Sequence, residues 1–192
     1  MALLSQLQAG TVDLIYGLLR RPDWATDVAE EHLFEDSFCI VVRHDHPLTR
    51  IDQVTTEHLA AYEWVVPAPG ASPRRQVIEA LFADMSPPMN FGVETSSVAT
   101  IRALVTSSNR VSVLTRHEAT FDERNRLLAV LPMKLGGTSR KGITTRVGWL
   151  PTQSQQMLMD LLRFHTSAGT RNQSPGGTAA LPRLVSRQAR GG

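Results

Sequence analysis

The sequence predicts an α/β protein whose sheet is largely parallel. Short runs rich in Val, Ile and Leu alternate along the chain with segments whose apolar residues recur every three or four positions. The latter segments often begin at hydroxyl or proline residues, which are typical helix starts. Strands and helices in alternation are typical of a sheet covered by helices. With 192 residues, of which 42% are hydrophobic and 20% charged, the chain can form one domain or two small lobes with a common core.

The first predicted elements are a helix and two strands. Residues 2–9 form a helix with its leucines on one face, and Gly10 ends it. Residues 11–17 are expected to form a buried strand that runs into a glycine-containing loop. Residues 33–44 form a longer strand, which alternates at first and becomes uniformly apolar at 39–42.

The middle of the chain contains two further helix starts. Thr55 or Thr56 caps a short helix, and Ser72 with Pro73 starts a longer one, as a hydroxyl cap followed by proline at the first helical position. The apolar stripe of the longer helix consists of Val77, Ile78, Leu81 and Phe82. Short strands are predicted on either side of it, at 64–67 and 91–95.

The next helix is capped by Ser96 or Ser97 and ends at Asn109, a residue that tolerates a left-handed backbone. Its inward-facing residues are Val98, Ile101, Leu104 and Val105. A strand, a short helix and another strand follow, at 111–115, 117–123 and 127–132.

The last strand covers residues 142–150, and Pro151 ends it. Thr152 and Gln155 match the capping box that starts a helix. This terminal helix has an apolar stripe that we expect to be buried, formed by Met157, Leu158, Leu161 and Leu162.

Residues 168–192 differ in composition from the rest. They contain four arginines, no acidic residue and many Gly, Pro and Ser residues, so we interpret them as a disordered basic tail. Without these four arginines the 20 basic residues fall to 16, against 18 acidic ones. A basic tail can touch nucleic acid, but a solvated extension is the favoured interpretation.

The number of cysteines and the lengths of the apolar runs argue against several kinds of site and segment. The single cysteine, Cys39, can form neither an internal disulfide nor a cysteine-based metal site. No apolar run approaches the roughly 20 residues of a membrane span, and the N-terminus lacks the features of a signal peptide. We therefore expect a cytoplasmic protein with no membrane contact.

The segment RHDHPLT raises the question of a metal or acid–base site. His44 and His46 could lie on one side of a continuing strand, but Asp45 would point to the other side. Pro47 removes a hydrogen-bond donor and favours a turn. We therefore predict a surface turn that contains no metal ligand.

Anion binding is a better prospect than catalysis. No motif of nucleophilic or nucleotide-dependent chemistry is present, and we predict no catalytic residue and no cofactor. Helix starts that follow strands bind small anions through free N–H groups and the positive end of the helix dipole. Three loops have this position and supply the candidate binding residues, which are Tyr16, Gly17, Leu18, Pro67, Gly70, Ser72, Thr95, Ser96 and Ser97. The alternative is that the hydroxyls only cap helices.

Taken in order, six segments resemble the effector-binding domain of LysR-type transcriptional regulators. They are LLSQLQAGTVDLIYG, LFEDSFCIVVRHDHPLT, LAAYEWVVPAPGASPRR, IRALVTSSNRVSVLTRHEA, LAVLPM and GITTRVGWLPT with LMDLLR, and the similarity covers about residues 3–166. Each motif is weak alone, but the ordered set is specific. HDHPLT corresponds to the strand-ending His-Pro-Leu turn of the family. The TTR and WLPT pieces are similar to members that control the uptake and breakdown of sugars or aromatic acids.

The resemblance implies a type II periplasmic-binding-protein-like fold, in which two α/β lobes are joined by two crossing strands and a metabolite lies between them. The effector-binding domain would cover residues 1–167. Its parts would be lobe I at 1–37 and 149–167, lobe II at 44–142, and crossing strands at 38–43 and 143–148. The resemblance also implies a homodimer that binds a sugar acid or an aromatic acid through the nine candidate residues, and that meets DNA only through an N-terminal domain.

Departures from the family pattern affect the N-terminal side. Neither the winged helix-turn-helix with its linker helix nor the first strand-and-helix unit of the effector domain is matched. The resemblance therefore implies a truncated chain with an incomplete first lobe, uncovered apolar surface and weaker effector binding than in a full-length relative. A smaller departure is SSNR at 107–110, where the family has a Gly-x-Gly turn.

Two other protein classes share this architecture. A solute-binding protein of a transport system would need export, which the absent signal peptide disfavours. An enzyme would need a convergent acid, base or nucleophile, which the sequence does not show. The predicted function is therefore effector sensing and dimerisation in a LysR-type regulator, by a chain without its own helix-turn-helix.

Overall fold

The computed structural model describes residues 2–19, 26–70, 72–85 and 91–171. The strands in these ranges are β1 (Leu14–Leu18), β2 (Val28–Arg43), β3 (Val65–Val66), β4 (Val93–Glu94), β5 (Ser112–Thr115), β6 (Leu128–Val130) and β7 (Thr138–Arg146). The helices are α1 (Ala2–Gln8), α2 (Thr56–Ala60), α3 (Pro73–Leu81), α4 (Val98–Thr106), α5 (Arg116–Arg124) and α6 (Gln153–Arg171). None of these helices is both long and apolar enough to cross a bilayer.

The largest sheet contains five strands, in the order β1–β7–β2–β5 with β6 beside β2. All of its strand pairs are antiparallel. Among the described residues, parallel pairing is confined to β3 with β4 and to the bridge between Trp64 and Val111, just before β5. The prediction of an α/β fold is confirmed, but that of a largely parallel sheet is wrong. Parallel neighbours need a crossover connection, and α3 and α4 supply one only around β3.

Strand β2 connects two groups of strands because it changes partners along its length. Val28 to Ser37 pair with β7, whereas Phe38 to Arg43 pair with β5 and β6. The first predicted crossing, 38–43, begins at this change of partners.

The second predicted crossing, 143–148, stays a prediction. Ile143 and Thr144 lie well inside the sheet, between β1 and β2. Thr138 is paired with Ser37. The chain therefore passes from β6 back to the strands around the first half of β2 before it reaches Thr138. The assignment of residue ranges to two lobes stays a prediction.

The second half of β2 supports a hydrophobic core on each of its faces. Phe38, Ile40 and Val42 point to one face, and Cys39 and Val41 to the other. The helical residues that complete these cores are Leu59, Ile78 and Phe82 on the first face and Ile101, Val105 and Ala119 on the second. The buried stripes predicted for α3 and α4 are confirmed, since all their residues are buried or packed against these cores.

The exposure of β1 differs from the prediction. A buried strand ending in a loop was expected, but β1 is an edge strand that extends through Leu18. Tyr16 is 43% exposed and Leu18 is 42% exposed. The apolar sequence of this strand did not reveal that one of its sides has no neighbouring strand among the described residues.

Several element ends also differ. Helix α4 ends at Thr106 rather than at Asn109. Among the described residues only Arg126 combines a side chain with a positive φ, so Asn109 is not a left-handed stop. Strand β7 occupies 138–146 rather than 142–150. Helix α6 includes residues 168–171 of the predicted tail, and the other tail residues, 172–192, lie outside the described part.

The predicted burial of the α6 stripe is wrong for three of its four residues, whereas Leu162 is half-buried. Met157, Leu158 and Leu161 are 51%, 46% and 40% exposed. The helix packs on the sheet through another face, where Met159 is buried and the Arg163 guanidinium donates two hydrogen bonds of 2.7 Å to the Glu31 carboxylate. The capping box at its start is confirmed, because Gln155 and Thr152 bond reciprocally at 2.8 and 3.4 Å.

The HDHP segment is a turn, as predicted, but its residue His46 does not lie at the surface. Its ring is fully buried, accepts a hydrogen bond from the Leu48 backbone at Nδ1, and meets the Asn109 carbonyl at Nε2 over 3.1 Å. Burial, with a smaller effect of Arg43, lowers the pKa of His46, although the bond to the Asn109 carbonyl opposes this. The neutral ring therefore ties the end of β2 to the loop before β5.

Candidate functional site

The start of α3 has two buried polar atoms without a hydrogen-bond partner. Ser72 stands at the N-cap in an extended conformation, but its hydroxyl makes no capping bond. Both Ser72 Oγ and Arg74 Nε are buried and unbonded. Buried polar groups are nearly always hydrogen-bonded in native proteins. Two such atoms within one helical turn mark a polar position that the described protein groups leave unsatisfied. Ser72 is therefore the N-cap residue, as predicted, but the expected hydrogen bond from its hydroxyl is not formed.

The starts of α4 and α5 are already satisfied by side chains. Ser97 Oγ accepts from the Thr100 backbone at 3.3 Å, and Thr95 Oγ1 accepts from the Ser97 backbone at 3.2 Å. At α5, Thr115 and Glu118 form a capping box. Of these three helices, only α3 begins without a side-chain acceptor on its backbone N–H groups.

The first turn of α5 also holds a carboxylate from β2. The Asp36 side chain is 5% exposed, and its Oδ1 accepts a 3.0 Å hydrogen bond from the His117 backbone N–H. This contact joins the half of β2 that pairs with β7 to a helix that packs on the other half. An incoming anion would find the α5 start occupied.

An ion pair connects α3 to α5. Arg74 Nη2 donates to Glu118 Oε2 at 2.6 Å, and the two side chains are only 11% and 23% exposed. Burial raises the pKa of Glu118, but the charge of Arg74, the Thr115 backbone N–H and the charge of Lys141 outweigh burial and hold this pKa below its usual value. Arg74 is therefore anchored at one nitrogen by a carboxylate while its Nε is left without a partner.

The loops before α3 and α4 lie side by side. The Thr95 backbone N–H donates to the Val66 carbonyl at 2.8 Å. Arg75 Nη1 donates to the Pro67 carbonyl and to Glu94, each at 3.0 Å, and the guanidinium lies 4.6 Å from the centre of the Phe91 ring. Arg75 thus helps to hold the two loops together, and the Pro67 carbonyl is occupied.

The structure brings only part of the predicted set together. Pro67, Ser72 and the loop 95–97 share one corner of the molecule, and Gly70 lies in the exposed turn between them with a φ of 70°. Gly17 and Leu18 are in strand β1 rather than in a loop. Their roles in binding stay a prediction.

Tyr16 belongs to the same region through Asp36. Partial burial, together with the charge of Asp36, raises the pKa of Tyr16. A series of polar groups in contact runs from Asp36 through the first turn of α5 to Arg74, and the charge of Asp36 acts on Tyr16 at its end. Tyr16 is 43% exposed.

Sequence reasoning missed Arg74, Asp36 and Glu118. One signal was available for the first: SPRR places two cations in the first turn of a helix, where the helix dipole disfavours positive charge. Two arginines at such a position indicate nearby anions. The roles of Asp36 and Glu118 depend on tertiary contacts, and no local pattern distinguishes them from surface acids.

The described residues contain no group of three or more His, Cys, Asp or Glu side chains arranged to hold a metal ion. Cys39 is buried, and burial raises the pKa of its thiol to about 11, with smaller opposing and supporting effects from neighbouring charges. A thiol with such a pKa is a poor nucleophile at neutral pH.

Comparisons with known proteins agree on one family. The sequence profile described as LysR substrate binding domain matches residues 1–165. The HTH-type transcriptional regulator GalR of Pseudomonas putida is 31% identical over 164 residues, which are 84% of this chain and 41% of that protein. The HTH-type transcriptional regulator PcaQ of Agrobacterium fabrum is 30% identical over 162 residues, which are 84% of this chain and 52% of that protein. The chain thus spans about half the length of these relatives.

A solved structure shows the same fold. The effector binding domain of QuiR, in complex with shikimate, aligns with a TM-score of 0.64 and 15% identity. The alignment covers 87% of this chain and 78% of that one.

Proposed function

The chain belongs to the LysR substrate binding domain family, and from this premise we propose that it senses a small organic acid that binds where helix α3 begins. The type II periplasmic-binding-protein-like fold expected from the sequence is confirmed by the structural neighbours. The relatives are transcriptional regulators and not enzymes, so the prediction that the chain is not an enzyme is also confirmed. A transport solute-binding protein, the alternative considered from the sequence, is not favoured by these relatives.

The observation that carries the proposal is the pair of unbonded polar atoms, Ser72 Oγ and Arg74 Nε. A guanidinium Nε–H and a hydroxyl can both donate to one carboxylate, and the positive end of the α3 dipole adds positive potential. The capped starts of α4 and α5 do not offer this. The anionic part of the effector therefore belongs at α3.

The remainder of the effector would extend toward the polar series that ends at Tyr16. Asp36 supplies a carboxylate and Tyr16 a hydroxyl on that side. Groups of this kind suit hydroxyl substituents, which both sugar acids and hydroxylated aromatic acids carry. The QuiR domain, a neighbour in fold, was solved with shikimate, which is an anion with hydroxyl groups. We propose a hydroxylated acid from one of these two classes.

Titration of matched ligands tests this proposal. Sugar acids and hydroxylated aromatic acids would be compared with their uncharged methyl esters by isothermal titration calorimetry. We expect at least one acid to bind in a saturable manner and its ester to bind about tenfold more weakly or worse, because charge-assisted hydrogen bonds are lost. Equal affinity of an acid and its ester would refute an anion site at α3.

We also propose that the chain forms a homodimer in the cytoplasm and that the regulator reaches DNA through a domain outside this chain. Exposed apolar residues on α6, together with the edge strand β1, supply surfaces suited to association. Sedimentation velocity should give the mass of two chains. The mass of a single chain across the whole micromolar range would contradict the homodimer.

A further inference from the structure

A groove beside the crossing of β2 has the features of a second small-molecule site. It lies between α3 and residues 134–138, the segment that leads into β7. Its volume is about 410 Å³, and Phe38 forms part of its floor. Known ligand pockets have volumes of about 300–1,000 Å³. The groove is therefore large enough for a small organic molecule.

The lining of the groove is mainly apolar and contains one charge. Pro73, Val77, Ala80, Leu81 and Leu135 supply apolar side chains. Lys134 is the only charged residue of this lining, and none of the ion pairs between described residues involves it. Apolar walls with a single cation complement a molecule that has an apolar body and one negative group.

The position of the groove separates it from the proposed effector site. The groove runs along the side of α3 and reaches Pro73, but neither Ser72 nor Arg74 lines it. Gly136 and Gly137 form part of the wall, and a side chain at Gly136 would meet no atom within 4 Å, so the wall is open. The groove also contacts both segments that join the two groups of strands, which are β2 at Phe38 and residues 134–138.

We propose that this groove binds a small apolar acid, independently of the effector site at the start of α3. The apolar body packs against α3 and Phe38, and the acid group pairs with Lys134. A molecule bound there touches the segments through which the two groups of strands are joined.

Binding of 4-phenylbutyrate, compared with uncharged 4-phenyl-1-butanol, tests the proposal by calorimetry or ligand-observed NMR. We expect saturable binding of one 4-phenylbutyrate per chain. Ala80 is exposed, so Ala80→Trp should fold normally while filling the groove, and it should weaken binding at least tenfold. Ala83→Trp is the matched control, because Ala83 is also exposed but does not line the groove. It should bind like the wild type.

The charge is tested by Lys134→Gln. This variant should bind 4-phenylbutyrate about fivefold more weakly, the effect of one exposed ion pair, and should bind the alcohol as the wild type does. Unchanged binding in Ala80→Trp, or no saturable binding in the wild type, would overturn the proposal. Loss of 4-phenylbutyrate binding in Arg74→Gln would also overturn it, because the probe would then occupy the effector site. Failure of the effector site alone leaves the Ala80→Trp result unchanged, so the two proposals are separable.

Discussion

The Arg74→Gln variant should lose effector binding almost completely. Glutamine removes the buried Nε–H and the positive charge that we assign to the acid group of the effector. Truncating one partner of a buried, hydrogen-bonded charge pair costs about 2 kcal/mol or more, which corresponds to a loss of about 30-fold in affinity. Calorimetric titration with the tightest acid of the panel measures this. A change of less than about threefold in affinity would contradict the assignment of Arg74.

Arg74→Gln should also lower stability, by about 1 kcal/mol, because Glu118 loses the cation that compensates its burial. The pKa of Glu118 is below its usual value in the folded protein, so its ionised form stabilises the fold above its ordinary pKa of 4.5. This contribution is lost as the pH falls through the folded-state pKa. The stability difference between wild type and variant should therefore be largest at neutral pH and narrow in acid, as measured by urea unfolding.

The double variant Arg74→Gln/Glu118→Gln separates binding from stability. Glutamine at 118 can keep the capping box of α5, and it removes the unpaired carboxylate. Stability should recover to near the wild-type value while effector binding stays lost. If binding returned together with stability, Arg74 would act only by holding α5 in place. The single variant Glu118→Gln should bind the effector at least as tightly as the wild type, since it leaves Arg74 free to bind the acid.

The Trp64→Ala variant should show the largest loss of stability. The Trp64 side chain is fully buried, meets the Phe82 ring edge-on at 5.1 Å, and donates a 3.0 Å hydrogen bond from its indole N–H to the Leu59 carbonyl. Removing a buried tryptophan costs about 3–5 kcal/mol. Because domains have a free energy of unfolding of only about 5–15 kcal/mol, this variant should lose a large part of its free energy of unfolding.

Urea unfolding followed by circular dichroism measures this loss. Trp149→Ala is the matched control, since Trp149 is only half-buried and lies after the end of β7. Its loss of stability should be clearly smaller. The variant Trp64→Phe should fall between the two, because it keeps an aromatic ring against Phe82 but loses the indole hydrogen bond. A loss below about 1 kcal/mol in Trp64→Ala would show that the core around β3 closes without this ring.

The sequence was informative wherever local chemistry decides the structure. Thr152 with Gln155, and the apolar spacing in α3 and α4, depend on residues a few positions apart, and these features are confirmed. The turn at His46 was predictable from Pro47 for the same reason. In such patterns both interacting residues lie in the same short segment of the sequence.

The sequence was uninformative where the outcome depends on distant segments. The antiparallel pairing of β2 with β7 joins residues about a hundred positions apart, and no local pattern sets its direction. The apolar residues of α6 predict one buried face. Which face packs on the sheet depends on contacts with β2, including the ion pair with its residue Glu31. Likewise, Ser72 has the local features of a cap, while its lack of a bond depends on packing around α3.

Chemical shifts of backbone amides give the most direct test of the proposed effector site. A ¹H–¹⁵N spectrum would be recorded while the tightest-binding acid of the panel is added. We expect the largest shifts at the amides of Ser72, Arg74 and Arg75, with smaller ones at His117 and Glu118, because the acid group lies against the first turn of α3 and next to the ion pair of Arg74. Saturable binding with no shift at these first three amides would contradict the account.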